Sequence, residues 1–108
     1  MTDFIKLQKC IKDLKLKYKI GVAGSFARNE LKSSSDIDIV VDTDMLDIPI
    51  IEEIKKSVAD TFLRDCDVIC LGLLKKEDED LDILAEKIGV GKNMHSAYKE
   101  VCKDVIWL

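Results

Sequence analysis

The stretch Gly24-Ser25-Phe26-Ala27-Arg28-Asn29-Glu30, followed by Ser35-Asp36-Ile37-Asp38-Ile39-Val40-Val41, decides how this chain reads. Ten residues separate Ser25 from Asp36. Ile37, Ile39 and Val41 alternate with Asp36, Asp38 and Val40. That is the period of a β-strand, so the two carboxylates project from one face. Carboxylates at i and i+2 can hold divalent cations between them, and hard oxygen donors suit magnesium. Upstream, Tyr18 to Ala23 reads as a short buried strand that ends at Gly24, with a short helix from Ser25 to about Leu31 and a loop at 32–35. A strand entering a helix through Gly-Ser presents backbone N–H groups and a hydroxyl where the helix dipole is positive, a favourable seat for phosphate oxygens. Glycine allows close approach there. The turn lacks the Gly-Lys-Ser/Thr ending of a P-loop, and Gly21-Val22-Ala23-Gly24 does not complete a dinucleotide fingerprint. What remains is a phosphate seat beside a carboxylate pair. Metals on Asp36 and Asp38 would bridge phosphate oxygens carried on the turn and stabilise an in-line displacement at phosphorus.

Outward from this centre, Phe4, Leu7, Ile11 and Leu14 recur at helical spacing, with Thr2 or Asp3 as N-cap, which predicts an amphipathic helix over 3–16 with its lysines in water. Asp42 to Pro49 is a polar connection, and Pro49 fits the first turn of a helix over about 50–63, with Ile51, Ile54, Val58 and Phe62 in one stripe. Cys66 to Leu71 makes a third strand that Gly72 helps to end. The charge run Lys75 to Asp82 could be an acidic interaction patch, but Leu81, Leu84 and Ile88 follow at helical spacing, which favours a solvated helix start. Gly89 and Gly91 break that helix. Met94, Ala97, Tyr98 and Val101 predict another, and Val105-Ile106-Trp107-Leu108 a short edge strand. The order is αβαβαβαα(β), an α/β or α+β fold in a single domain over 1–108.

Composition narrows the function classes. With 108 residues, 47% of them apolar, the chain can bury one core but hardly two. Seventeen basic against 21 acidic residues give a net charge of −4, which disfavours nucleic acid as a direct substrate. No apolar run is long enough to span a bilayer, and Met1-Thr2-Asp3-Phe4 lacks a secretory start, so no membrane contact and a cytoplasmic location are expected. Cys10, Cys66, Cys70 and Cys102 form no C-x-x-C pair and read as reduced core thiols, and the single histidine, His95, reads as a helix residue rather than a zinc ligand.

Gly24-Ser25, ten intervening residues and Asp36-x-Asp38, set within Gly-Ser-Phe-Ala-Arg-Asn-Glu and Ser-Asp-Ile-Asp, resemble the signature of the DNA polymerase β-type nucleotidyltransferase superfamily, specifically its minimal nucleotidyltransferase members. The resemblance covers most of the chain. That family also places a helix before the first strand, then a helix and a third strand carrying a third metal carboxylate. Asp67, ahead of Val68-Ile69, matches this position; Asp65, on the same strand face, is the runner-up, and the residues alone would make Asp67 merely a residue at the strand start. The resemblance implies a nucleotidyltransferase fold, a small mixed sheet with flanking helices. It further implies transfer of a nucleoside monophosphate from a nucleoside triphosphate, usually ATP, to an acceptor hydroxyl, with pyrophosphate leaving and two magnesium ions bound. Asp36 and Asp38 would ligate both metals and the triphosphate, Asp67 would join the metal set and activate the acceptor, and Gly24 and Ser25 would bind the β- and γ-phosphates. Asn29 stands where the family usually has glycine; asparagine tolerates left-handed backbone, so the turn is expected to survive. Arg28 either contacts phosphate or acceptor, or pairs at the surface with Glu30.

Superfamily members that modify antibiotics, transfer RNA or polynucleotides carry further domains for the acceptor. A chain of this length is expected to rely on a partner. Minimal members are similar in this respect and commonly pair with a helical HEPN-type protein, as the antitoxin that binds and can adenylylate that toxic ribonuclease. Two alternatives are a nucleotide- and partner-binding module without chemistry, or transfer to a small molecule through self-association. Against the first, Ser25, Asp36, Asp38 and Asp67 are all present. The expected partner surface is Val105 to Leu108 with the helix bearing Met94 and Tyr98, where Trp107 is either an interface anchor or a core-filling residue at the sheet edge.

Overall fold

A computed structural model describes residues 2–30, 36–87 and 97–108. Its elements are α1 (Thr2–Asp13), β1 (Ile20–Ala23), α2 (Gly24–Ala27), β2 (Ile37–Val41), α3 (Ile48–Phe62), β3 (Cys66–Cys70), α4 (Leu71–Lys87), α5 (Ala97–Asp104) and β4 (Ile106–Trp107). The order matches the sequence pattern. The four strands lie β3-β2-β1-β4, with β1 antiparallel to both β2 and β4, and β2 parallel to β3. The parallel pair requires a crossover, which α3 supplies. No helix among the described residues is long and apolar enough to cross a membrane.

Alternation along β2 divides the molecule. Ile37, Ile39 and Val41 face one side, where Leu7 and Ile11 of α1 and Ile54 and Val58 of α3 complete the main core with Ile20 and Val22 of β1. Val40 faces the other side, where Ala23 and Leu71 are covered by Tyr98 and Val101 of α5 and by Val105 and Trp107. Trp107 therefore takes the core-filling role at the sheet edge. Gly21 makes room for it, since a Cβ there would stand 2.9 Å from Trp107 Cε3 and 2.8 Å from Val105 Cγ2.

Several boundaries differ from the sequence reading, each for a local reason. α1 stops at Asp13, and Lys15 closes it in the left-handed region at φ 52°. α3 begins at Ile48, because the Asp47 side chain accepts from the Ile50 N–H and Pro49 occupies the first turn. Gly72 does not end β3 as expected. It lies inside α4, which starts at Leu71, and its missing side chain lets the helix approach the β2–α3 loop: a Cβ would meet Asp44 Cα at 2.8 Å, and the Gly72 N–H donates to the Thr43 carbonyl at 2.9 Å. The charge run from Lys75 sits well within α4 rather than at its start. Within it Asp78 is buried and accepts the Tyr98 N–H at 2.8 Å, joining α4 to the first turn of α5. The expected helix end at Gly89 and Gly91, with Met94 and His95, lies outside the described residues, as does the loop at 32–35.

Candidate active site

Strand register assembles the carboxylates. Antiparallel pairing of β1 and β2 sets Ala23 opposite Asp38, and parallel pairing of β2 and β3 sets Asp38 opposite Asp67. Neighbouring strands run about 4.8 Å apart with paired side chains on one face, so Asp38 and Asp67 are adjacent. Asp36, two residues before Asp38, lies on the same face at the mouth of the site. Asp65 precedes β3, and its carbonyl accepts the Ile37 N–H at 3.0 Å. Register thus sets Asp67, and not Asp65, beside Asp38.

Asp38 is half-buried, whereas Asp36 and Asp67 are exposed. Burial pushes the Asp38 carboxyl above the usual carboxylate range, the Asp67 and Asp36 charges push it further, and Arg28 opposes them. A divalent cation beside Asp38 would relieve the repulsion that its two carboxylate neighbours exert on its charged form, and an all-oxygen donor set is the kind magnesium takes. The residues fit the ion chemically. They line a rim rather than a closed cage: among the described residues, no three carboxylate, thiol or imidazole groups are gathered as a preformed metal cluster.

The Gly-Ser turn closes the other side. Gly24 adopts φ 67°, and a Cβ there would run into Asp38 Oδ2. Glycine is thus required twice, for the left-handed backbone and for the approach of the Asp38 carboxylate. Ala23, extended at the N-cap position, offers no side-chain bond to the first-turn amides of α2. α2 is a single turn, much shorter than the helix expected to about Leu31, so its dipole is small and a phosphate at this turn would rely on the amides and the half-buried Ser25. Phe26 anchors the turn from beneath by packing edge-to-face on Phe62, with ring centres 5.9 Å apart. Asn29 takes the left-handed conformation at φ 57°, as its residue type allows. Its N–H donates to Phe26, and the Glu30 N–H to Ser25, closing the loop.

Arg28 points to two carboxylates. Its Nε lies 3.0 Å from Glu30 and its Nη1 2.6 Å from Asp104 at the end of α5. These bonds, Glu30's first, hold its pKa above the ordinary value. Surface pairing thus describes the side chain here, and contact with phosphate would exchange one of these partners. Asp104 had no signal in the sequence, being 76 residues away.

Comparison with curated proteins and with solved structures gave no significant match. A family model described as a nucleotidyltransferase domain matches residues 5–78. The matched region runs from α1 into α4 and contains the Gly24-Ser25 turn, Asp36, Asp38 and Asp67. With more than half of its length matched and its acids aligned across the sheet beside that turn, the chain belongs to the nucleotidyltransferase domain family.

Proposed function

We propose that this nucleotidyltransferase moves AMP from ATP to a hydroxyl group on a protein partner, in the manner of an antitoxin that modifies a helical HEPN-type toxin. The observation that carries the reading is the placement of Asp38 between Asp67 and the Gly24 turn. Asp36, Asp38 and Asp67 would hold the magnesium ions, whose chemistry when bound is to neutralise phosphate oxygens during in-line displacement. Gly24 and Ser25 seat the β- and γ-phosphates through backbone amides and a hydroxyl. Asp67, the exposed acid on the far strand, takes the proton of the acceptor hydroxyl. The acceptor oxygen then bonds to the α-phosphorus, the bond from that phosphorus to the β-phosphate oxygen breaks, and pyrophosphate leaves. Asp67 stands at the outer side of the site, on the edge strand β3, which supports an acceptor arriving from another molecule.

Incubation with α-labelled ATP, magnesium and a co-purified helical partner tests this directly. Mass spectrometry should find one AMP on a tyrosine or other hydroxyl of the partner. Asp67→Asn should abolish transfer more than it weakens ATP binding. A partner that binds tightly yet stays unmodified would favour a binding module, and label on small molecules alone would move the acceptor away from protein.

A further inference from the structure

A cavity lies at the end of the sheet away from the carboxylates. Ile20, the far end of β1 from Ala23, pairs with Val41 rather than Asp38, and beside it this cavity of about 250 Å³ opens where α1 turns into β1. Buried Ile11 and Ile20 form its floor, with half-buried Leu16 and Leu108 beside them. Lys12, Lys15 and Lys19, all exposed, form its rim.

We propose that this cavity docks an acidic segment of a partner protein, which inserts one apolar side chain between the lysines. The proposal stands apart from the catalytic reading. Size argues for a single side chain, because small-molecule sites commonly occupy roughly 300–1,000 Å³ and this cavity is smaller. Charge argues for an acidic occupant: in a chain of net charge −4, four lysines and one aspartate fall in the segment 12–19. No ion pair engages Lys12, Lys15 or Lys19 among the described residues. An acidic segment is therefore drawn to this end and repelled by the carboxylate rim at the other.

Backbone conformation adds an independent sign. Lys15 holds φ 52°, a left-handed cap position where glycine or asparagine would sit with less strain, and there it projects a cation at the cavity mouth. The walls are braced. The Tyr18 hydroxyl donates to Asp47 Oδ2 at 3.2 Å, and Asp47 also caps α3. Lys19 Nζ stands 4.6 Å from the centre of the Trp107 ring, which ties the rim to β4.

Fluorescence anisotropy with a labelled Glu-Glu-Phe-Glu-Glu peptide tests the assignment, compared with the same peptide carrying Ala for Phe and with an oligo-dT strand of equal charge. The Phe peptide should bind about tenfold tighter than either control, since a buried aromatic anchor dominates such contacts. Lys12→Ala with Lys15→Ala should remove most of that binding. Lys15→Gly relieves the left-handed strain, so it should melt no lower than the parent while weakening the Phe peptide about fivefold or more, because one charge contact is lost. If the Ala peptide or oligo-dT bound as tightly as the Phe peptide, the site would be a non-selective polyanion patch. Unchanged affinity in Lys15→Gly, or no saturable binding at millimolar peptide, would equally overturn the proposal.

Discussion

The two faces of the sheet differ in what they do with the same strand. Toward α1 and α3, β2 contributes Ile37, Ile39 and Val41 to a sealed apolar layer, with Leu7, Ile54 and Val58 fully buried among them. Toward α5 it contributes Val40 to a smaller cluster and then, closer to its start, Asp38 to a rim of acids. One face holds the fold together, and the other carries an Asp38 charge that burial and two neighbouring acids disfavour. The lesson is a division of labour at a period of two residues: the rigidity that positions Asp38 is stored on the opposite side of its own backbone.

Breaking the sealed face should have the largest effect. Ile39→Ala removes a fully buried side chain, at a cost of about 2–5 kcal/mol, so thermal melting should fall steeply while any protein still folded at low temperature binds ATP normally. Normal melting would show that this face does not carry the stability. The thiols report the same contrast. Burial, the first cause, and the Asp67 charge push Cys66 up to about 12, whereas Cys102 is exposed. A disulfide reagent near neutral pH should label Cys102 readily and Cys66 only on unfolding. Because the folded pKa is raised, the stability tied to the protonated Cys66 thiol is complete below about 9 and is lost as pH rises from there toward about 12.

On the charged face, Gly24→Val forces a branched side chain into left-handed backbone and into the Asp38 carboxylate. ATP binding should vanish in calorimetry, with circular dichroism confirming that the protein remains folded; normal ATP affinity in that folded variant would place the phosphate seat elsewhere. Asp38→Asn sharpens the comparison in the opposite direction. Folding raises the Asp38 pKa, so without metal its charge costs stability, and that cost appears as pH rises through the folded pKa. The asparagine variant should therefore melt slightly higher in chelator at pH 7, bind ATP weakly and gain nothing from magnesium. A lower melting point in chelator would show that the carboxylate is stabilised rather than strained. The smallest effect is expected of Asp104→Asn. It releases an exposed ion pair worth about 0–1 kcal/mol, so stability should barely change. If Arg28 reaches phosphate, ATP affinity should rise as a competitor is removed, and an unchanged affinity would assign Arg28 to the surface.

Features set by neighbours in the chain were legible without the fold. The alternation of Ile37 to Val41 specifies a strand and puts Asp36 and Asp38 on one face, Pro49 marks the first turn of α3, and Asn29 can take a left-handed φ because of its own side chain. Short-range φ/ψ limits and side-chain period carry all of these. Tertiary structure alone decided the rest. Asp67 meets Asp38 instead of Asp65 because a parallel register, set by packing of α3 across the sheet, aligns the two strands one residue at a time. Gly72 belongs to a helix because the β2–α3 loop presses against it, Trp107 fills the space that Gly21 leaves, and Arg28 turns to a carboxylate 76 residues away. None of these pairings is encoded by spacing, since each depends on which surfaces touch once the core has closed.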